Sequence, residues 1–264
     1  VQVLPLSFKE FLRYKGIDFS NLTSSYTEAK IRNALEEYIL KGGFFPALKE
    51  DHLSKQFYED YLEVVLLKDL VERYGIGNIS ALKALMKTLL FNFSKEFSVH
   101  KTFRHLKSLG FKISKKTIYN YFKYLEDVFF VFGVSKYSRS KDEGIRKVYP
   151  VDLGLLNLFP SLLSAKGRIY ETLAFLHLIR NQQKVSYWKS REGYEIDFVI
   201  PSRKVLLQAC FDPKDSEAKK REVRPFFHAK KELNFNKFVL ITDNLESTEK
   251  VRWFDSSIKV NYIK

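Results

Sequence analysis

The stretch YEIDFVIPSRKVLLQACF, residues 194–211, constrains the fold more than any other part of the chain. Glu195 and Asp197 alternate with Ile196 and Phe198, so in an extended strand both carboxylates point to one side of the sheet. A turn at Pro201-Ser202 leads into a second apolar run ending in Gln208-Ala209-Cys210. The turn, over about 201–204, is short enough to pair the two strands directly, and Gln208 and Cys210 then share a face of the second strand. Acids on one strand beside a polar pair on the next form the kind of ligand set that a hard divalent cation takes.

The surroundings of this hairpin follow from the same patterning. A helix at about 167–181 precedes KVSYWK, YEIDFVI and KVLLQACF, and a charged helix at about 215–233 and the strand KFVLIT follow. Helix, three-stranded meander, helix and strand make an α/β sandwich over residues 160–264. Residues 1–50 read as mostly helical. Ser25 and Glu28 form a capping box ahead of Ile31, Leu35, Tyr38 and Ile39, and Gly42-Gly43 stops that helix. Residues 51–152 predict helices at about 54–74, 79–93, 98–109 and 114–127, with Ser98 and Ser114 as N-caps of the last two. Strands at about 128–137 and 146–151 follow, joined by the polar turn SRSKDEG.

Composition narrows the function. The formal charge of +14 points to a polyanionic partner. It is concentrated, because residues 95–147 hold 13 Lys and Arg against 5 Asp and Glu and so supply +8 of it. One cysteine excludes an intrachain disulfide framework and fits a reducing cytoplasm. No apolar run approaches the roughly 20 residues needed to cross a bilayer, so no membrane partner is expected. No GxxxxGK[ST] phosphate loop is present, so no ATP site is expected in this chain.

Within the basic stretch, SVHKTFRHLKSLGFKISKKTIYNYFKYLED fits a helix, a turn and a second helix, followed by a two-stranded wing. Ile118, Phe122 and Leu125 share an inward face of the second helix. Lys115, Lys116, Tyr119, Asn120 and Lys123 remain for phosphates and base edges. Lys136, Arg139, Lys141, Arg146 and Lys147 are expected to decorate the wing and its turn.

VLPLSFKEFL, EEYILKGGFFPAL, LKDLVERYG, KVYPVDLGLLN, GRIYETLAFLHL and YWKSREGYEIDFVI occur in this order along the chain. Together they resemble the landmarks of archaeal-type AAA+ ATPases that carry a winged helix and a C-terminal PD-(D/E)xK nuclease-like domain. The resemblance implies an α+β and α/β chain in three parts: a helical lid remainder of an AAA+ module at 1–50, a winged helix-turn-helix at 51–152 and a restriction-endonuclease-like α/β domain at 160–264. It also implies an N-terminal ATPase core absent from this sequence. The basic stretch and the single cysteine add duplex DNA as the expected partner and a cytoplasmic location, with a homo-oligomer as a further expectation. In that fold an acid on the first helix, an acid on the second strand and an E-x-K on the third surround Mg²⁺. Glu171 matches the helix acid and Asp197 the strand acid, with Glu195 beside it as a further metal ligand. Gln208 stands where the third-strand acid belongs, and Cys210 where the lysine belongs.

A thiol cannot supply the positive charge of that lysine, so the catalytic motif of Glu171, Asp197 and Gln208 reads as degraded. Acids brought this close repel one another, and the expectation is a bound cation or a basic side chain among them, with Lys189, Lys214 and Arg221 as candidates. Cys210 reads most simply as a small buried residue. The leading reading is a non-catalytic nucleic-acid-binding region. An active Mg²⁺-dependent nuclease and a protein-interaction or assembly arm are the alternatives.

Overall fold

The computed structural model describes residues 3–19, 24–49, 54–138, 145–212, 216–242, 247–253 and 256–263. Among the described residues the chain is a mixed α and β protein with two sheets, divided into two compact units that interleave in sequence. The first comprises Val1–Phe93, Phe97–Phe132 and Tyr149–Ala165, and the second Ser94–Glu96, Gly133–Val148 and Lys166–Lys264.

The first helix, α1 (Phe8–Tyr14), opens on a capping box. The Ser7 hydroxyl accepts from the Glu10 N–H at 3.2 Å, and the Glu10 carboxylate accepts from the Ser7 N–H at 2.7 Å. By contrast, α2 (Ser25–Lys41) starts after Ser24 with no side-chain cap, which corrects the capping box expected of Ser25 and Glu28. Ser25 already lies inside the helix, so its hydroxyl is out of place to cap the first turn. Gly42 ends α2 in a backbone conformation of positive φ, as the double glycine predicted. Next come α3 (Phe45–Lys49), α4 (Ser54–Asp60), a π-helical turn at Tyr61–Leu66 and α5 (Leu67–Tyr74).

These pieces are tied to Asp152, which is 1% exposed. Its Oδ1 accepts from the Tyr58 hydroxyl at 2.6 Å and the Gly154 N–H at 2.8 Å, and its Oδ2 from the Gly43 N–H at 2.7 Å. A Cβ at Gly154 would lie 2.1 Å from the Tyr58 hydroxyl, so only glycine fits there.

After α6 (Ile79–Phe91) come β1 (Lys95–Ser98), α7 (Val99–Ser108), α8 (Lys115–Asp127), β2 (Val131–Ser135) and β3 (Ile145–Pro150). Ser98 and Ser114 accept from the N–H of Lys101 and Thr117, capping α7 and α8 as expected. The three strands form one sheet in the order β1-β3-β2. Two 3₁₀ turns then lead to α9 (Lys166–Arg180).

The large sheet is built from β4 (Ser186–Lys189), β5 (Glu195–Ile200), β6 (Val205–Ala209), β7 (Lys237–Ile241), β8 (Ser247–Trp253) and β9 (Ser256–Ile263), in the order β4-β5-β6-β7-β9-β8. Strands β4, β5 and β6 are antiparallel, while β6, β7 and β9 run parallel. The parallel β6–β7 step is bridged by α10 (Ser216–Leu233), since parallel neighbours need a crossover. The β5–β6 turn is a 3₁₀ turn at Pro201–Arg203 closed by Lys204 in the left-handed region, and it pairs Phe198 with Leu207.

Alternation along β5 is not strict. Ile196 and Val199 join the core with Val223, Phe226 and Phe227 of α10, whereas Phe198 stacks on Phe175 of α9 at 6.3 Å. An irregular register between Ser186 and Trp188 in the β4–β5 pairing accompanies this departure.

Candidate functional site: a lysine enclosed by carboxylates

All residues of this site belong to the second compact unit. Helix α9 carries Glu171 on a buried stretch with Thr172, Ala174 and Phe175. Strand β5 supplies Glu195 and Asp197, and β6 supplies Gln208. Into their midst comes Lys147, from β3. Its Nζ lies 2.9 Å from Glu171 Oε1, 2.6 Å from Glu195 Oε1 and 3.2 Å from Asp197 Oδ1. At 2% exposure, Lys147 is the most deeply buried basic side chain among the described residues. Its ammonium also stands 5.9 Å from the centre of the buried Tyr187 ring.

The second oxygens of Asp197 and Glu195 have partners as well. Asp197 Oδ2 accepts from the Ala209 N–H at 3.0 Å. Glu195 Oε2 pairs with Lys189 at 3.3 Å across the β4–β5 ladder, where the two residues are direct partners. Lys189 in turn donates to Glu96 at 2.9 Å. Gln208 turns its Oε1 to the Asp197 N–H at 3.1 Å and its Nε2 to Glu222 at 3.4 Å, and Glu222 also holds Arg221 at 3.2 Å.

Burial and charge pull these carboxyls in opposite directions. Burial pushes Asp197 above the usual carboxylate range, with Lys147 and the Ala209 N–H opposing and Glu195 adding to the rise. Burial also pushes Glu195 up, but there Lys147 and Lys189 together prevail and hold the group below its usual range. Glu222 is raised by burial, against the Gln208 hydrogen bond and with a contribution from Asp197. Cys210, half-buried on the same strand end, has its thiol raised to about 11 by burial, with Glu222 adding to it.

The expected convergence of Glu171, Glu195, Asp197 and Gln208 is therefore present, and a basic side chain does lie among the acids. Its identity corrects the expectation. Lys189 touches only Glu195 of the three acids, Arg221 reaches only Glu222, and Lys214 falls outside the described residues. Lys147, expected as wing decoration, is the central cation. A lysine in a charged stretch normally keeps its head in water, but here three carboxylates repay the desolvation of one ammonium. The signal available in the sequence was the unbalanced charge of the acids; nothing near Lys147 marks it out from its neighbours.

The Mg²⁺ that the nuclease resemblance implies does not fit this arrangement. Its bonds to oxygen are about 2.0–2.1 Å, and the point where the three carboxylates meet is held by an ammonium. The Gln208 carbonyl that would complete the ligand set is turned onto backbone. Among the described residues, no group of three or more His, Cys, Asp or Glu side chains has a metal-holding arrangement.

The basic helices belong to the first unit. Ile118, Tyr121, Phe122 and Leu125 of α8 are buried, while Lys115, Lys116, Tyr119 and Lys123 are exposed and Asn120 is half-buried. Tyr119 is 49% exposed. On α7, Lys101, Arg104 and Lys107 are exposed too, a face that the sequence reading left unused. Lys136 and Arg146, in the second unit, are half-buried, and Arg139 and Lys141 lie outside the described residues.

Two known families match the chain. One, a domain of unknown function (DUF8612), covers residues 32–166, and another, also a domain of unknown function (DUF4143), covers residues 166–258. An uncharacterized protein of Methanocaldococcus jannaschii is 34% identical over 259 residues, which is 95% of this chain and 58% of that protein. An uncharacterized protein of Haemophilus influenzae is 27% identical over 259 residues, 94% of this chain and 61% of that protein. The chain thus spans about three fifths of the length of these relatives. No solved structure matches significantly. With residues 32–166, just over half of its 264, covered by one family, the chain belongs to the DUF8612 family.

Proposed function

We propose that this chain is the nucleic-acid-binding C-terminal region of an AAA+ ATPase, with duplex DNA as its partner and a nuclease-like unit that does not cleave. The observation that carries the reading is the division of α8 into a buried apolar stripe and an exposed face of Lys115, Lys116, Tyr119 and Lys123. Such a helix has its apolar side anchored and its cations free for phosphates, while tyrosine adds a surface for stacking or hydrogen bonding. The N-caps at Ser98 and Ser114 fix where α7 and α8 begin, and the two helices pack on one another. The ATPase part of the reading draws on two things. Domains of the second matching family (DUF4143) are found in AAA-ATPase-associated proteins, and this chain spans only part of its relatives. The lack of cleavage draws on the lysine held among the acids.

The test is a gel shift with labelled duplex across a salt series, run with and without Mg²⁺. Each phosphate contact contributes about −0.9 to the log–log salt slope, so Lys116→Ala with Lys123→Ala should flatten it by about 1.8 and weaken binding. Unchanged affinity and slope in the double variant would remove α8 from the interface. One observation favours an active nuclease instead: Lys147 supplies beside the acids the positive charge that Cys210 lacks. Robust Mg²⁺-dependent cleavage that disappears in Asp197→Ala would establish that reading.

A further inference from the structure

The nuclease resemblance implies a divalent cation at Glu171, Glu195 and Asp197, yet one oxygen of each already binds the same ammonium. We propose that Lys147 is the resident counter-ion of this cluster and closes it to divalent metal ions. The inference rests on the non-cleaving half of the reading above and is independent of nucleic-acid binding.

Three features support it. Lys147 contacts all three carboxylates at once, at 2.6–3.2 Å, so its ammonium takes the position where a shared cation would balance them. A metal ion entering beside it would meet a like charge within about 3 Å in a poorly solvated site, where the repulsion is only weakly screened. Retreat of the ammonium is hindered too, because Lys147 is 2% exposed and β3 is held in its sheet by bonds such as that from the Ser94 N–H to the Val148 carbonyl at 2.7 Å. Three further donors are engaged: Asp197 Oδ2 by the Ala209 N–H, Glu195 Oε2 by Lys189, and Gln208 Oε1 by the Asp197 N–H. Opening the site to a metal therefore requires removal of the lysine, whereas raising the metal concentration leaves it closed.

The experiment is a Mn²⁺ titration followed by electron paramagnetic resonance on the full chain without nucleic acid. It compares the wild type with Lys147→Ala and Lys147→Met, each alone and combined with Asp197→Asn. The wild type should leave millimolar Mn²⁺ free, and its melting temperature should not respond to the ion. Both single variants should take up Mn²⁺ and gain melting temperature from it, and Asp197→Asn should abolish both effects. Should either single variant be unfolded without metal, Mn²⁺ should restore its circular dichroism spectrum. The proposal is overturned by wild-type Mn²⁺ binding that Asp197→Asn removes. It is equally overturned if folded variants ignore the ion, or if unfolded ones are not rescued by it. Because no DNA is present, a failure here leaves the gel-shift test of α8 standing, and the reverse also holds.

Discussion

Replacing Lys147 by methionine keeps the length of the stem and deletes only the ammonium. Glu171 and Asp197, both less than 10% exposed, then face each other across an uncompensated gap, while Glu195 retains Lys189. Removing one partner of a buried ion pair costs about 3–5 kcal/mol, and the half-buried Glu195 adds little because solvent screens it. The penalty depends on pH with a sign that follows from the two shifted groups. Glu195 lies below its usual range, so it contributes stability above its unfolded value of about 4.3 that is lost as pH falls through the lower folded value. Asp197 lies above its usual range even with the lysine present. Its stability contribution is therefore complete below about 3.9 and is lost as pH rises through the higher folded value. In the wild type the two groups partly cancel. Without the ammonium both shift upward, so the variant recovers stability on acidification, by about 1.4 kcal/mol for each unit of added shift. Both tryptophans, Trp188 and Trp253, fall in the second unit, so urea unfolding followed by their fluorescence reports on the part that carries the cluster. The gap between wild type and variant should be about 3–5 kcal/mol at neutral pH and smaller at pH 5. A gap under about 1 kcal/mol at neutral pH, or one that widens at pH 5, would refute the account of Lys147 as the charge that balances the acids.

Two further outcomes test the surrounding structure. Asp152→Ala leaves the N–H groups of Gly43 and Gly154 without their acceptor and takes one from Tyr58, and at about 1–3 kcal/mol per orphaned group it should lower the thermal midpoint sharply; a near-neutral effect in circular dichroism melts would contradict the network. Cys210, with its thiol raised to about 11, carries on the order of a hundredfold less thiolate at pH 8 than a free cysteine, so its reaction with a disulfide reagent should be correspondingly slow and accelerate upon unfolding; labelling at the rate of free cysteine would disprove the shift.

Local chemistry made much of the fold legible. Ser98 and Ser114 announce α7 and α8 because a cap is a contact three residues long, and the β5–β6 hairpin follows from two apolar runs around a short turn. The same signal was present but unused in SFKE, where Ser7 and Glu10 make the capping box, and in SSIKVNYI, whose alternation marks β9. Among the site residues, the relation of Glu195 to Asp197 is local and could be read. Lys147 could not, because its burial is decided by Glu171 and Asp197, 24 and 50 residues away. A charge run predicts solvent exposure on average, and only the tertiary structure identifies the one member drawn inside.

The interleaving of the two units bears on how this chain can be taken apart. The second family match begins at residue 166, so a fragment of residues 166–264 would look like a self-sufficient module. It would carry Glu171, Glu195, Asp197 and Gln208 but forfeit Ser94–Glu96 and Gly133–Val148, the pieces that bring Glu96 and Lys147. Homology and self-sufficiency thus have different borders here. A recombination joint placed at residue 166 would deliver the acids to a new host without the cation that neutralises them. To be portable, the graft must take β3 along or find a positive charge in its new surroundings.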